Sequence, residues 1–441
     1  MIDAEQNSRK PAFDHQKLAE ALSEITKKNY TENQLPFDQF EFTEDETAIR
    51  FNIDTTRWEC NLSDYRLTKL KPKNEPDGIS PDKKWAAFIR NHNLYLRSLE
   101  TGDEIQLTTD GEPHYNYAYQ PDWYHTENIS NPRPQMDPKV SVVWSPDSRK
   151  LLTFRLDRRD IRRLYMLQSA TAEGYQSEVF SYERALPGDT VLTTIEYFIF
   201  DVEKKQKTNV DLAPFPAFLV WWGPEWFKDS QRLFFNYWHR GYKAIDLLEI
   251  DAATGKTRTI LEERSATNID MGMMGWKWID DGKELVWLSE RDGWNHLHHF
   301  DGASGNLLNR VTSGNYVVRS IEHVDQAAKQ IYFSASGKES QRDPYFRHLY
   351  KINFDGSGLV LLTPEDAEHE IKFSPDGRFF VDNFSRVDLA PQSVLRRSSD
   401  GKIVQELEQA DIHRLLAAGW QPPERFKAKA RDGETDIYGV I

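Results

Sequence analysis

Three neighbouring histidines, His296, His298 and His299, have the residue type that a metal site needs. Imidazole is a common zinc ligand, and strand alternation would place His296 and His298 on one face. The surrounding sequence offers no third ligand at a suitable spacing. Since the run occupies positions where a repeated strand pattern usually carries leucine and tyrosine, we interpret it as packing or as decoration of a strand edge, and we predict neither a metal nor a cofactor.

A serine nucleophile of one common type lies in the motif Gly-x-Ser-x-Gly, between a strand and a helix. The nearest sequence, Gly302-Ala303-Ser304-Gly305-Asn306, lacks the last glycine and has the composition of a hairpin turn. We therefore predict no catalytic residue in this chain.

Arginines crowd one stretch and could bind carboxylates or carbonyls in pairs. They alternate with Asp157 and Asp160, which is more typical of a surface crossed by ion pairs. We expect such a surface, built by Arg155, Arg158, Arg159, Arg162 and Arg163.

A repeated turn organises the chain. Ser-Pro-Asp occurs at 80–82, 145–147 and 374–376, each time before an apolar strand, and short Gly-containing hairpin loops follow. Proline fixes φ at the second turn position, and the aspartate can bond back to the turn backbone. The repeats delimit units at 37–70, 78–110, 140–212, 218–264, 273–314, 317–364 and 368–409.

This periodicity predicts an all-β fold, a β-propeller of four-stranded blades with seven complete units and a remnant of an eighth. A sandwich of unrelated hairpins is the alternative, but sandwiches do not repeat one turn at this period. Residues 1–36 are expected to hold the remnant and a helical insert, 37–422 the propeller, and 423–441 the start of another domain. Asp14 can cap the helix, with Leu18, Ala21, Leu22 and Ile25 on one face.

The composition of the chain limits the classes of partner that it could bind. The net charge of −14 and the absence of a basic stripe disfavour nucleic acid. No apolar run approaches the length that spans a bilayer. The single cysteine, Cys60, excludes an internal disulfide but leaves the compartment open.

Three segments carry a family resemblance. Ser289-Glu290-Arg291-Asp292-Gly293-Trp294-Asn295-His296-Leu297 looks like a signature blade of the dipeptidyl peptidase IV propeller. The stretch from Trp144 through Arg159 to Asp189 resembles the long blade of that propeller. Residues 426–441 resemble the first hairpin of the α/β-hydrolase domain in the prolyl oligopeptidase family. The chain is thus similar to the N-terminal propeller of a bacterial dipeptidyl peptidase IV-like serine peptidase.

The resemblance implies a site for the free amine of a peptide. The family places adjacent glutamates before one blade, and the matching stretch here runs from Asp122 to Asn128. Glu127 is the candidate amine ligand, with a solvated loop residue as the alternative. Asn128 stands where a second carboxylate is expected and can accept only through its amide oxygen. Loss of that carboxylate leaves open whether two or three residues are released.

The resemblance also implies a function and partners. The propeller would gate a serine exopeptidase and recognise the N-terminus of a peptide substrate, often one with proline, while the catalytic serine lies on a C-terminal α/β-hydrolase domain. This chain alone is expected to be inactive, its parent periplasmic or secreted, and a homodimer is possible within the family. A non-enzymatic protein-interaction propeller is the alternative.

Overall fold

A computed structural model describes residues 2–4, 6, 8–70, 78–119, 127–130, 139–171, 174–220 and 222–441. Strands dominate these residues. Strands β1 to β18 are Ile2–Asp3, Ser8–Arg9, Phe40–Phe42, Ala48–Ile53, Thr56–Asn61, Leu67–Lys69, Trp85–Arg90, Asn93–Ser98, Glu104–Gln106, Tyr115–Tyr117, Glu127–Asn128, Val143–Trp144, Lys150–Asp157, Arg163–Gln168, Glu178–Glu183, Thr194–Asp201, Gln206–Asn209 and Phe215–Pro216.

The second half of the chain continues the pattern. Strands β19 to β36 are Glu225–Trp226, Arg232–Trp238, Ala244–Asp251, Thr257–Arg264, Trp276–Ile279, Glu284–Ser289, His296–Asp301, Leu307–Arg310, Val317–Asp325, Gln330–Ser336, Arg347–Asn353, Val360–Leu361, Glu368–Phe373, Phe379–Arg386, Leu389–Arg397, Ile403–Gln409, Arg425–Lys429 and Asp436–Val440. Helices α1 and α2 are His15–Thr26 and His413–Ala417, and 3-10 turns span Ala217–Leu219 and Met271–Met273. In the described ranges, none of the helices has the length and apolarity to cross a membrane.

Consecutive strands form successive antiparallel sheets. The groups β3 to β6, β19 to β22, β23 to β26 and β27 to β30 are each four-stranded and ordered as in the sequence. Strands β7 to β9 form a three-stranded sheet beside an isolated bridge from Ile79 to Ala86. Strand β13 pairs with β10, β12 and β16 in the long blade. Repetition of four-stranded units is the arrangement of propeller blades, as predicted.

The Ser-Pro-Asp turns explain why the units repeat. The hydroxyl of Ser80 donates to Asp82 over 2.7 Å and accepts from the backbone N–H of Trp85 over 3.0 Å. Ser145 contacts Asp147 over 2.6 Å in the same way. The backbone N–H of Asp82 also reaches the hydroxyl of Ser148 over 3.0 Å, and that of Asp147 reaches Ser230 over 3.1 Å. One turn thus closes a hairpin and attaches it to the next blade.

Apolar layers between neighbouring sheets supply the core. Leu152 and Ile199 of the long blade lie in one buried cluster with Leu233 and Phe235 of the following sheet. Burying a side chain of this size contributes about 1.5–3 kcal/mol. Stacking of similar faces therefore stabilises the repeated units together.

The described chain divides into two compact units. One holds residues 1–75, 394–396 and 403–407, and the other holds the remainder. In the first, Asp14 caps α1 by accepting from the backbone N–H of Lys17, as predicted, and Leu18 and Leu22 are buried. Ile25, expected on the same face, is exposed in the last turn. The domain limits proposed from the sequence remain predictions.

Candidate functional site

A small sheet outside the blade pattern carries the candidate amine ligand. Strands β14 and β15 form a hairpin in the insertion between β13 and β16, and β11, which precedes β12 in the chain, pairs with β15. Glu127 lies opposite Ser181, and Ser181 lies opposite Tyr165, so these three side chains share one face. Asn128 lies opposite Phe180 and therefore faces the other way.

Glu127 forms an ion pair on that face. Its Oε2 accepts from Nη2 of Arg163 over 2.5 Å. The Glu127 side chain is 41% exposed, compared with 24% for Arg163. The carboxylate is thus held at one oxygen while solvent still reaches the side chain.

Arg163 belongs to a row of alternating charges. Its Nε donates to the hydroxyl of Ser181 over 3.0 Å, and Nη1 lies 3.5 Å from Glu183. Glu183 accepts in turn from Arg158 over 3.2 Å. Ion pairs of this kind were expected from the arginine-rich stretch, and Arg163 is the member that reaches the candidate site.

Asn128 has a different partner. Its amide nitrogen donates to Oε2 of Glu178 over 2.9 Å. Since Glu178 and Phe180 share a face of β15, this contact lies on the side of the sheet away from Glu127. The structure therefore does not bring Glu127 and Asn128 onto one ligand position. Asp122 to Thr126 lie outside the described residues.

The three histidines are buried with their ring nitrogens engaged. Their partners are Thr312 and Gly314 for His296, Asp292 for His298, and Glu284 for His299. Ser304 donates from its hydroxyl to Asp301 over 2.6 Å, within a hairpin turn. These groups are used in blade packing and turn closure.

One cluster of possible metal ligands was not predicted from the sequence. Ligand atoms of Glu365, His369 and Asp382 lie within 4.8 Å of one another. Nδ1 of His369 contacts Asp382 over 2.8 Å, and Nε2 contacts the backbone oxygen of Glu365 over 3.1 Å. Strand pairing alone brings Asp382 to His369, which explains why spacing did not reveal the cluster. Both ring nitrogens already have partners, so the cluster is a buried polar network.

A buried carboxylate was also missed. Glu263 is 3% exposed and accepts from Trp287 Nε1 over 3.2 Å, from the Ser289 hydroxyl over 2.8 Å and from Arg291 Nη2 over 2.8 Å. It borders a cavity of about 290 Å³ lined also by Asn295. The signature segment 289–297 is thus fixed to the end of the preceding blade by one side chain.

Three buried histidines are expected to make the stability of the chain depend on pH. Burial lowers the pKa of His296, His298 and His348. The unfolded chain takes up these protons near the ordinary value of 6.5, whereas the folded chain resists them. Stability should therefore fall as the pH decreases from 7 towards 5. Thermal unfolding at pH 7.5, 6 and 5 measures the slope.

His348 offers a test of whether buried histidines cause this pH dependence of stability. It contacts the backbone oxygen of Thr363 through Nδ1 over 3.0 Å, and the titratable side chains of His369, Arg342 and Glu339 lie nearby. His348→Gln should reduce the change in unfolding temperature between pH 7.5 and 5. An unchanged slope would show that His348 does not contribute.

Comparisons with known proteins show which family the chain resembles. A family model described as the dipeptidyl peptidase IV (DPP IV) N-terminal region matches residues 40–391. Dipeptidyl-aminopeptidase B of Aspergillus niger is 23% identical over 89% of this chain and 46% of its own length. The crystal structure of Porphyromonas gingivalis dipeptidyl peptidase 4 matches with a TM-score of 0.65 at 18% identity, over 92% of this chain and 57% of that one.

The chain thus spans just under half the length of such a curated relative. The similarity to the solved structure supports the all-β propeller fold. Because the family match covers well over half of the residues, the chain belongs to the family of the dipeptidyl peptidase IV N-terminal region.

Proposed function

We propose that this chain is the substrate-gating and N-terminus-recognising propeller domain of a serine exopeptidase that releases short peptides, often after proline. The observation that carries the proposal is the carboxylate of Glu127, held by Arg163 yet 41% exposed. A carboxylate in this state can accept charge-assisted hydrogen bonds from an α-ammonium group. An amine fixed at one point sets the number of residues between the N-terminus and the cleaved bond.

The names of the relatives support the peptidase part of the proposal. They are a dipeptidyl-aminopeptidase and a dipeptidyl peptidase 4, and this chain covers only part of each. We infer that the parent protein carries the catalytic serine on a C-terminal α/β-hydrolase domain. The hairpin of β35 and β36 is consistent with this, because it exposes Phe426, Ile437 and Val440, which a further domain would cover.

A homodimer is a further part of the proposal. In the part of the chain that the structure describes, strand β14 is the edge of its sheet, and Tyr165 and Leu167 on it are each 67% exposed. Edge strands and exposed apolar side chains favour association. A second copy that pairs along β14 would cover both.

The test compares blocked and free substrates. The longer protein should cleave a dipeptidyl reporter such as Ala-Pro-p-nitroanilide and leave its N-acetyl derivative intact, because acetylation removes the positive charge. The 441-residue chain, purified free of proteases, should cleave neither. Equal cleavage of both reporters by the longer protein would refute amine recognition, and turnover by the chain alone would refute the assignment of catalysis to another domain.

A further inference from the structure

The guanidinium of Arg163, beside the candidate amine ligand, is held by three partners. It contacts Glu127, Ser181 and Glu183 through three different nitrogens. Ser181 is 1% exposed and sits in the middle strand of the sheet, so its hydroxyl offers a fixed acceptor. The bonds to Ser181 and Glu183 therefore help to fix the orientation of Arg163, in addition to its ion pair with Glu127.

Glu127 is held less firmly than its partner. Within the described ranges, strand β11 has two residues and pairs with β15 alone. Its side chain is more exposed than that of Arg163, and among the described residues its hydrogen-bond partner is that arginine. Without Arg163, the carboxylate would regain rotamer freedom and would face Glu183, a like charge on the same face.

We propose that Arg163 is a positioning residue for recognition of the peptide amine. By occupying Oε2 of Glu127, it orients the carboxylate and leaves Oε1 to accept from the incoming ammonium group. It also separates the negative charges of Glu127 and Glu183. This assignment rests on the proposed function, and it assigns no contact between Arg163 and the substrate.

The opposite role would be competition, in which the guanidinium occupies the place of the ammonium group. Competition requires that Arg163 leave when the peptide binds. Its bonds to Ser181 and Glu183 oppose that movement, and the guanidinium is the less exposed of the two partners. The two roles predict opposite signs: removal of Arg163 weakens binding if it positions Glu127 and strengthens binding if it competes.

Peptide binding to the 441-residue chain distinguishes the positioning role of Arg163 from the competing role. The probe is the tripeptide Ala-Pro-Ala with a fluorophore at its C-terminus, compared with the same peptide after N-acetylation, and fluorescence anisotropy gives both dissociation constants. Arg163→Gln should raise the Kd of the free-amine peptide by about three- to tenfold and leave that of the acetylated peptide unchanged. Arg163→Lys keeps the charge and should recover part of the loss.

Controls separate this role from general effects. Arg159→Gln removes a neighbouring arginine that pairs with Asp157 and Glu112, and it should change neither constant. If the unmodified chain binds free and acetylated peptides equally, the proposed function itself fails. If it discriminates, but Arg163→Gln tightens binding or keeps the ratio of constants, the positioning role is wrong. Should Arg163→Gln not fold, Arg163→Lys decides alone: retained discrimination between the two peptides supports the role, whereas tighter binding of the free-amine peptide than by the unmodified chain would contradict it.

Discussion

Glu127→Gln is expected to raise the KM of the longer protein for free-amine peptides about 10- to 30-fold, with a much smaller effect on kcat. The substitution keeps the size of the side chain but removes the charge that binds the ammonium group. A hydrogen bond to a charged group contributes about 1.5–3 kcal/mol, and the 41% exposure of Glu127 favours the lower part of this range, about 1.5–2 kcal/mol, where 1.4 kcal/mol corresponds to a tenfold change. Initial rates at several peptide concentrations measure both constants.

Glu178→Gln is the matched control for this prediction. Glu178 lies in the same sheet on the opposite face, beside Asn128. Its KM for the free-amine peptide should stay within about twofold of the unmodified value, as is usual for surface substitutions. Equal losses for both variants would mean that the sheet, and not the carboxylate of Glu127, is what the substrate requires.

The largest expected loss of stability follows from Glu263→Ala. The carboxylate accepts from Trp287, Ser289 and Arg291, and its removal leaves these donors without their acceptor. Breaking a buried charged pair costs about 3–5 kcal/mol, and Arg291 is 30% exposed, so a loss of about 2–4 kcal/mol is expected. Urea unfolding followed by circular dichroism measures the free energy of unfolding.

Glu262, the residue next to Glu263, provides the control for this prediction. Glu262 is 60% exposed and pairs with Arg264 over 3.4 Å, so Glu262→Ala should cost less than about 1 kcal/mol. A similar loss for the two variants would contradict a special role for the buried carboxylate. The difference between them isolates the bonds that fix the signature segment to the preceding blade.

Local chemistry explains which parts of the fold were predictable. The Ser-Pro-Asp turns fix a hairpin with bonds inside six residues, so their repetition predicts the blades directly. The helix cap at Asp14 is equally local. Glu263 and Asp382 gave no such signal, because their partners lie in other strands and only the register brings them together.

The candidate site was predictable in type but not in arrangement. Resemblance directed attention to Glu127 and Asn128, yet neighbouring residues of a strand point to opposite faces, and this depends on β11 being extended. The pairing of β14 with β15 then decides that Arg163 meets Glu127. A charged stretch predicts ion pairs, but it does not predict which carboxylate each arginine takes.

The most direct test is a crystal structure of the longer protein with an uncleaved peptide bound. The account predicts that the α-amine nitrogen lies about 3 Å from a carboxylate oxygen of Glu127, with Arg163 still bonded to the other oxygen. An amine that contacts other groups, with Glu127 facing solvent, would contradict it.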